Sequence, residues 1–485
     1  MNSTRRDFLV STGTALGAAA ATAACSTVRR DKRPNVVFVL ADDQRWDCLG
    51  CAGHPFLKTP NLDRLAHEGV RFANAFSTTS LCSPARASYL SGLYAHRHGV
   101  MNNFTDYPAD LPSYPRQLQA AGYETAYIGK FHMGEQFDDP RPGFDFWASH
   151  KGQGAYYDTE FNINGKRQTM NGYYSHRVTE LAIDWLKKPK RKPFMLTVGH
   201  KAPHMLCTPE PKYEHTFDQM PLQRPATAED TGNGKPEWIK ERVPTWHGIE
   251  GPLYGSKDYT DFARRYLGTI QSVDDSMGEI YETLRATGEL DNTVLFFAAD
   301  HGFMLGEHGC VDKRAMYEES IRVPHLVRYP ELIRASGVLP QMVLNIDFAP
   351  SILDICGAAP LPVAHGKSWK PLLKNPGAQG RKSWHYEYNY EKEFPYTPNV
   401  RGVRTDEWKY VRSPNGDDQP DKYRAELYNL KADPGETKNL VDAEPERVRQ
   451  LQAELTKLQQ QTGAVPEHMP VNPEMKMALP EQTIR

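Results

Sequence analysis

Pro34-Asn35-Val36-Val37-Phe38-Val39-Leu40-Ala41-Asp42-Asp43-Gln44 is the stretch on which the fold turns. From Val36 to Leu40 it is β-branched and apolar without polar alternation, the signature of a strand buried on both faces. It stops abruptly at two carboxylates. Acidic residues just past the C-terminal end of a buried strand lie where open α/β sheets place their chemistry. The pattern recurs at Thr293-Val294-Leu295-Phe296-Phe297-Ala298-Ala299, which runs into Asp300-His301-Gly302. It recurs again at Phe194-Met195-Leu196-Thr197-Val198, followed by Gly199-His200-Lys201-Ala202-Pro203-His204. Between these runs, Ile270, Val273, Met277, Ile280 and Leu284 step by three and four along one helical face. The alternation predicts an α/β fold, with a large, mostly parallel central sheet flanked by helices.

At 485 residues the chain exceeds one ordinary domain. Its texture changes after about residue 365. Residues 383–390, 400–405, 408–412 and 426–430 read as short strands with aromatic alternation, and residues 445–461 as an amphipathic helix. We therefore expect a catalytic domain over 34–365, a smaller antiparallel α+β domain over 366–462, and an extended tail over 463–485. With 58 basic and 60 acidic side chains, nothing in the charge balance points to nucleic acid.

Residues 1–25 read as a targeting segment. Arg5-Arg6 before Phe8-Leu9, then a mildly apolar stretch ending in Ala18 to Ala24, resembles a twin-arginine export signal. The resemblance implies the twin-arginine export machinery as a partner and an exported protein, periplasmic or at the cell surface. The alternative is a short basic membrane anchor, but the stretch is weakly apolar for a spanning helix. Cleavage after Ala23 or Ala24 fits. Ala23-Ala24-Cys25-Ser26 also leaves room for a lipoprotein cysteine, although Thr22 suits that motif poorly. Cys48-Leu49-Gly50-Cys51 is a lone C-x-x-C with no second pair, so two ordinary semi-buried cysteines are expected rather than zinc ligands.

The most informative segment is Leu81-Cys82-Ser83-Pro84-Ala85-Arg86-Ala87-Ser88. It continues as Tyr89-Leu90-Ser91-Gly92-Leu93-Tyr94 and His96. Together with the acidic strand ends, it resembles type I sulfatases of the alkaline-phosphatase-like superfamily, over the chain from Pro34 to about Leu440. In such enzymes the motif cysteine is oxidised to formylglycine (3-oxoalanine) by a separate maturation enzyme. Carried over, that residue is Cys82, with Pro84 and Arg86 in the recognition motif. An aldehyde hydrate sets two hydroxyls on one carbon. One displaces the alcohol from sulfur, and the other loses its proton so that sulfate is expelled.

The resemblance also implies one divalent cation per chain. The carboxylates of Asp42, Asp43 and Asp300, with the modified Cys82, offer hard oxygen ligands, which favours calcium over zinc. His301 stands where many relatives carry Asn, and is expected at the metal or the nucleophile. Gly129-Lys130-Phe131-His132-Met133-Gly134 resembles the family's Gly-Lys-x-His segment. Lys130 would bind sulfate, and His132 would take the nucleophile's proton. His204, in Ala202-Pro203-His204, resembles the histidine near the leaving group. Lys313, in Asp312-Lys313-Arg314, resembles a sulfate-binding lysine. His204 or Lys313 would protonate the departing oxygen, and His200 would sit behind the site.

The stretch from Tyr94 to Asn103 and Phe161-Asn162-Ile163-Asn164-Gly165-Lys166 are similar to N-acetylglucosamine-6-sulfatases. The implied substrate is a sulfated sugar, with 6-O-sulfated N-acetylglucosamine first. The aromatic stretch over residues 384–396 either lines a sugar site or packs the second sheet. Two other readings remain: a phosphonate monoester or phosphodiester hydrolase of the same superfamily, and a carbohydrate-binding surface protein without turnover.

Overall fold

A computed structural model describes residues 32–232, 234–416 and 420–465. The export segment and the tail beyond residue 465 lie outside the described residues.

In chain order the strands are β1 Asn35–Ala41, β2 Val70–Phe76, β3 Glu124–Gly129, β4 Phe146–Ser149, β5 Tyr157–Ile163, β6 Lys166–Tyr173, β7 Phe194–Gly199 and β8 Thr293–Ala299. They continue with β9 Met304–Leu305, β10 Val311–Asp312, β11 His325–Arg328, β12 Gly337–Leu344, β13 Ser383–Tyr388, β14 Val400–Thr405, β15 Trp408–Arg412 and β16 Glu426–Asn429. Ten of them form one sheet in the order β12-β2-β11-β8-β1-β7-β3-β4-β5-β6. β8, β1, β7, β3 and β4 are mutually parallel neighbours. The flanks are mixed: β11 runs antiparallel to β8 and β2, and β4–β5–β6 form an antiparallel meander. The sheet is parallel at its centre and antiparallel where hairpins and a reversed strand extend it.

β1 and β8 are buried along their whole length, as their unbroken apolar runs require. Phe38 packs against Phe296, Phe348 and Tyr89, with ring centroids 4.3–5.3 Å apart. The helix Tyr259–Ala286 buries Ile270, Val273, Met277, Ile280 and Leu284, the stripe read from sequence.

β13–β16 form a separate antiparallel sheet covered by the helix Pro445–Thr462. An ion network ties it to the larger sheet's loops. Glu318 is gripped by Arg404 Nε and Lys409 Nζ, each at 3.0 Å, and Lys409 also reaches Glu436 at 2.7 Å. Cys48 and Cys51 are free thiols, as expected.

Candidate active site

The four neighbouring parallel strands β8, β1, β7 and β3 deliver most of the expected residues at their C-terminal ends. β8 runs into Asp300 and His301, β1 into Asp42 and Asp43, β7 into the loop bearing His204, and β3 into Lys130 and His132. Backbone bonds tie these ends together: Asp300 N–H donates to Ala41 O (3.2 Å), His200 N–H to Leu40 O (2.8 Å), and Lys130 N–H to Gly199 O (2.9 Å). β3 and β7 meet closely at Gly129, where an added Cβ would lie 2.1 Å from the Gly199 oxygen. Asp43, His132 and Arg314 hold left-handed backbone, with φ of 66°, 48° and 79°. Strain of this kind, about 1–3 kcal/mol each, persists where surrounding structure fixes it, and often at functional sites.

Cys82 opens the fully buried helix Cys82–Ser91, which stops at Gly92 in the left-handed region. Tyr89 Oη donates to Ala299 O (3.0 Å) and docks this helix on the end of β8. The Asn103 side chain accepts from Ser83 N–H (3.0 Å) and ties a neighbouring loop to the helix start. Cys82 Sγ thereby lies 3.4 Å from Asp42 Oδ1 and 3.4 Å from His301 Nε2. Burial, with Asp42 adding, pushes the Cys82 thiol well above its ordinary range, so it is not a thiolate nucleophile as it stands.

Asp42, Asp43 and Asp300 are wholly buried. Ligand atoms of Asp42, Cys82, Asp300 and His301 fall within 4.8 Å of one another, as do those of Asp42, Asp43, Cys82 and His204. His301 Nδ1 donates to Gly302 O (2.9 Å), which leaves Nε2 facing Cys82. Cations surround the acids. Arg86 Nε donates to Asp300 Oδ2 (2.9 Å), Lys130 Nζ bonds Asp42, and Lys313 Nζ bridges both Asp43 oxygens at 2.7 and 2.8 Å. Burial pushes the Asp42 carboxyl up, but the cations Lys130, Arg86 and Lys313 outweigh it and hold the group well below its ordinary value. Asp43 moves the other way: burial raises it despite Lys313 and His301.

His132 Nε2 donates to Glu135 (2.8 Å), and its Nδ1 is buried without a partner. Burial and Lys130 lower its pKa to about 4. His204 Nδ1 donates to Met205 O (2.5 Å), leaving Nε2 3.9 Å from Asp43 Oδ2. Burial, Lys130 and Lys313 keep this imidazole neutral. His200 bonds Ser276 Oγ (3.1 Å), behind the site as expected.

A cleft of about 290 Å³ opens onto this cluster, lined in part by His204, Lys313, Asp312, Arg314, Gln153 and Glu135. Sequence reasoning missed Gln153, whose amide oxygen accepts from Lys130, and His247, 3.4 Å from Asp312. Glu135 stood three residues beyond His132 and was within reach of the motif; Gln153 and His247 sit in loops with no periodic signal. Of the aromatic stretch, Trp384, Tyr386 and Tyr388 pack in a core cluster, and Phe394 lines the cleft.

The sulfatase family profile matches residues 34–358. This chain belongs to the sulfatase family. The sulfatase also matches, over residues 306–462, the profile described as N-sulphoglucosamine sulphohydrolase, C-terminal. It is 34% identical to an N-acetylglucosamine-6-O-sulfatase of Bacteroides thetaiotaomicron, with 87% of this chain and 86% of that one aligned. Against the human N-acetylglucosamine-6-sulfatase it is 32% identical, over 67% and 61% of the two chains. A structure solved in complex with its substrate D-glucosamine-2-N,6-O-disulfate superposes with a TM-score of 0.83 at 31% identity, covering 89% of this chain and 99% of that one. The phosphonate monoester hydrolase of Agrobacterium radiobacter shares the fold, with a TM-score of 0.74 at 22% identity. The sulfatase is therefore a sulfuric ester hydrolase with an alkaline-phosphatase-like architecture.

Proposed function

We propose that this sulfatase hydrolyses the 6-O-sulfate ester of N-acetylglucosamine in a sulfated carbohydrate, using a nucleophile made from Cys82 and a calcium ion. The observation that carries the reading is the convergence of Cys82, three buried carboxylates and three cationic side chains, one of which, Lys313, also lines the cleft. The names of the relatives point the sulfate to a glucosamine.

The residues present fit both groups. Asp42 and Cys82 are shared by two donor groups, one completed by Asp43 and His204 and the other by Asp300 and His301, and the carboxylates offer the hard oxygens that suit calcium. Bound there, the cation would acidify the nucleophile's hydroxyl and draw in the sulfate. Arg86 Nη2, which lies 3.7 Å from Asp42 but has no hydrogen-bond partner, and His132 Nδ1 are buried atoms with hydrogen-bonding capacity to spare. Formylglycine at this position would replace an inert buried thiol with hydroxyls.

The rest follows from the chain's own groups. Lys130 and Lys313 stabilise charge on the sulfuryl oxygens. His132 takes the proton that frees sulfate, and Glu135 holds its ring in place. His204 protonates the departing sugar oxygen. Its imidazole is neutral in the free enzyme, and a bound sulfate's negative charge raises its affinity for that proton. Asp312, locked to Arg314 and Arg242 at 2.9 Å, sets a carboxylate and a guanidinium against the cleft, where hydroxyls of a sugar find both acceptor and donor. The twin-arginine-like segment supports an enzyme matured before export to the periplasm or cell surface; subcellular fractionation tests this.

Parallel assays on 6-O-sulfated N-acetylglucosamine and on a phosphate diester test the reading; turnover of the diester alone overturns it. Within the sulfate assay, His204→Ala loses at least about 10-fold more on the sugar ester than on an activated aryl sulfate, about 1.4 kcal/mol of leaving-group protonation. Lys313→Ala is the control. Equal losses on both esters in both variants assign these side chains to sulfate binding instead.

A further inference from the structure

The cleft holds about one sugar, because 290 Å³ lies at the small end of ligand pockets. Its mouth is nonetheless built as though more arrives. Phe104 is 43% exposed and Leu206 41%, and both line this cleft. Single exposed apolar side chains are ordinary on a protein surface. Two at the rim of one reaction cleft, beside the ring of Phe394, form a surface that packing does not require.

Phe104 is also fixed in place. Its backbone N–H donates to Asn102 Oδ1 (3.0 Å), and Thr105 Oγ1 donates to the same oxygen (2.9 Å). The adjacent Asn103 accepts from Ser83 N–H, the residue next to Cys82. The backbone that carries the ring is thus tied to the start of the Cys82 helix through two hydrogen-bonded neighbours. Behind it, Phe394 lies nearly parallel, with ring centroids 6.4 Å apart and planes 14° apart. His247 continues the stack on Phe394 at 5.9 Å and 19°. Arg314 approaches Phe394 at 5.2 Å. Phe394 has its own neighbours in His247 and Arg314, and Phe104 lies at the cleft mouth with Phe394 nearly parallel to it.

We propose that Phe104 is the platform of a second sugar subsite, which takes the pyranose glycosidically linked to the sulfated aminosugar. A pyranose shows a face of C–H groups with positive edges, and the negative face of an aromatic ring receives them. The subsite rests on the sugar reading above and names its substrate class more narrowly: an oligosaccharide end rather than a free monosaccharide. Leu206 closes the same mouth with apolar surface.

The test compares calcium-loaded, matured enzyme on 6-O-sulfated N-acetylglucosamine and on a disaccharide carrying that sugar at its non-reducing end. The wild type has a kcat/KM about 5-fold or more higher on the disaccharide, the size expected of one aromatic contact. Phe104→Ala brings the disaccharide down to the monosaccharide value and leaves the monosaccharide within about 2-fold. Phe104→Tyr retains the preference. Equal kcat/KM for the two sugars in the wild type, or an equal loss on both in Phe104→Ala, overturns the subsite while leaving the sugar reading intact. No sulfate release from either sugar overturns both.

Discussion

Cys82→Ala abolishes sulfate release, with a loss on the order of 10⁴- to 10⁶-fold, while the protein stays folded. The magnitude is that of removing a nucleophile whose other partners remain. The fold survives because Cys82 is one small side chain at the start of a helix anchored elsewhere, by Tyr89 on Ala299 O and by Ser83 N–H on Asn103. Circular dichroism and the melting profile confirm that only chemistry was lost. Turnover by Cys82→Ala comparable to wild type contradicts the proposed nucleophile.

Removing the metal has the next largest effect. Chelation lowers kcat/KM by about 10²- to 10⁴-fold, the size of several kcal/mol of charge stabilisation, and calcium restores it. Asp42→Asn and Asp300→Asn retain less calcium, which elemental analysis of the dialysed protein reads directly. Each substitution also disturbs a cation: Asp42 holds Lys130 and Asp300 holds Arg86. Metal content therefore separates lost ligation from lost positioning. Full activity in protein verified as metal-free contradicts the site.

Much of the candidate site was legible because its residues follow buried strands. Asp42, Asp300 and His204 each come just after an unbroken apolar run, and the periodicity that betrays the strand also locates the residues at its end. The flanks of the sheet were not legible. β6 is almost entirely exposed, so Lys166–Tyr173 carries no apolar pattern. Its hairpin was still marked: Asn164-Gly165, with φ of 50° and 89°, is the Asn-Gly pair of a two-residue turn. The antiparallel pairing of β4, β5 and β6 follows from such a hairpin, which the buried runs do not report; on the other flank the reversed strand β11 makes the antiparallel pairs and the edge pair β12–β2 is parallel. The cleft wall was legible only in part. Lys313 was found through a motif that also carries Arg314, but Gln153 and His247 reach the cleft along loops whose course depends on tertiary packing. The aromatic stretch divided for a simple reason. Trp384, Tyr386 and Tyr388 alternate on β13 and point into one core cluster, whereas Phe394 lies beyond the strand's end and is free to face the cleft.

The most direct test of the whole account is the mass of the peptide containing Cys82, taken from active enzyme made in its native host. The account predicts that one oxygen replaces the sulfur and two hydrogens of the side chain, and that the modified fraction tracks sulfate release. An intact thiol in enzyme that turns over at full rate contradicts it.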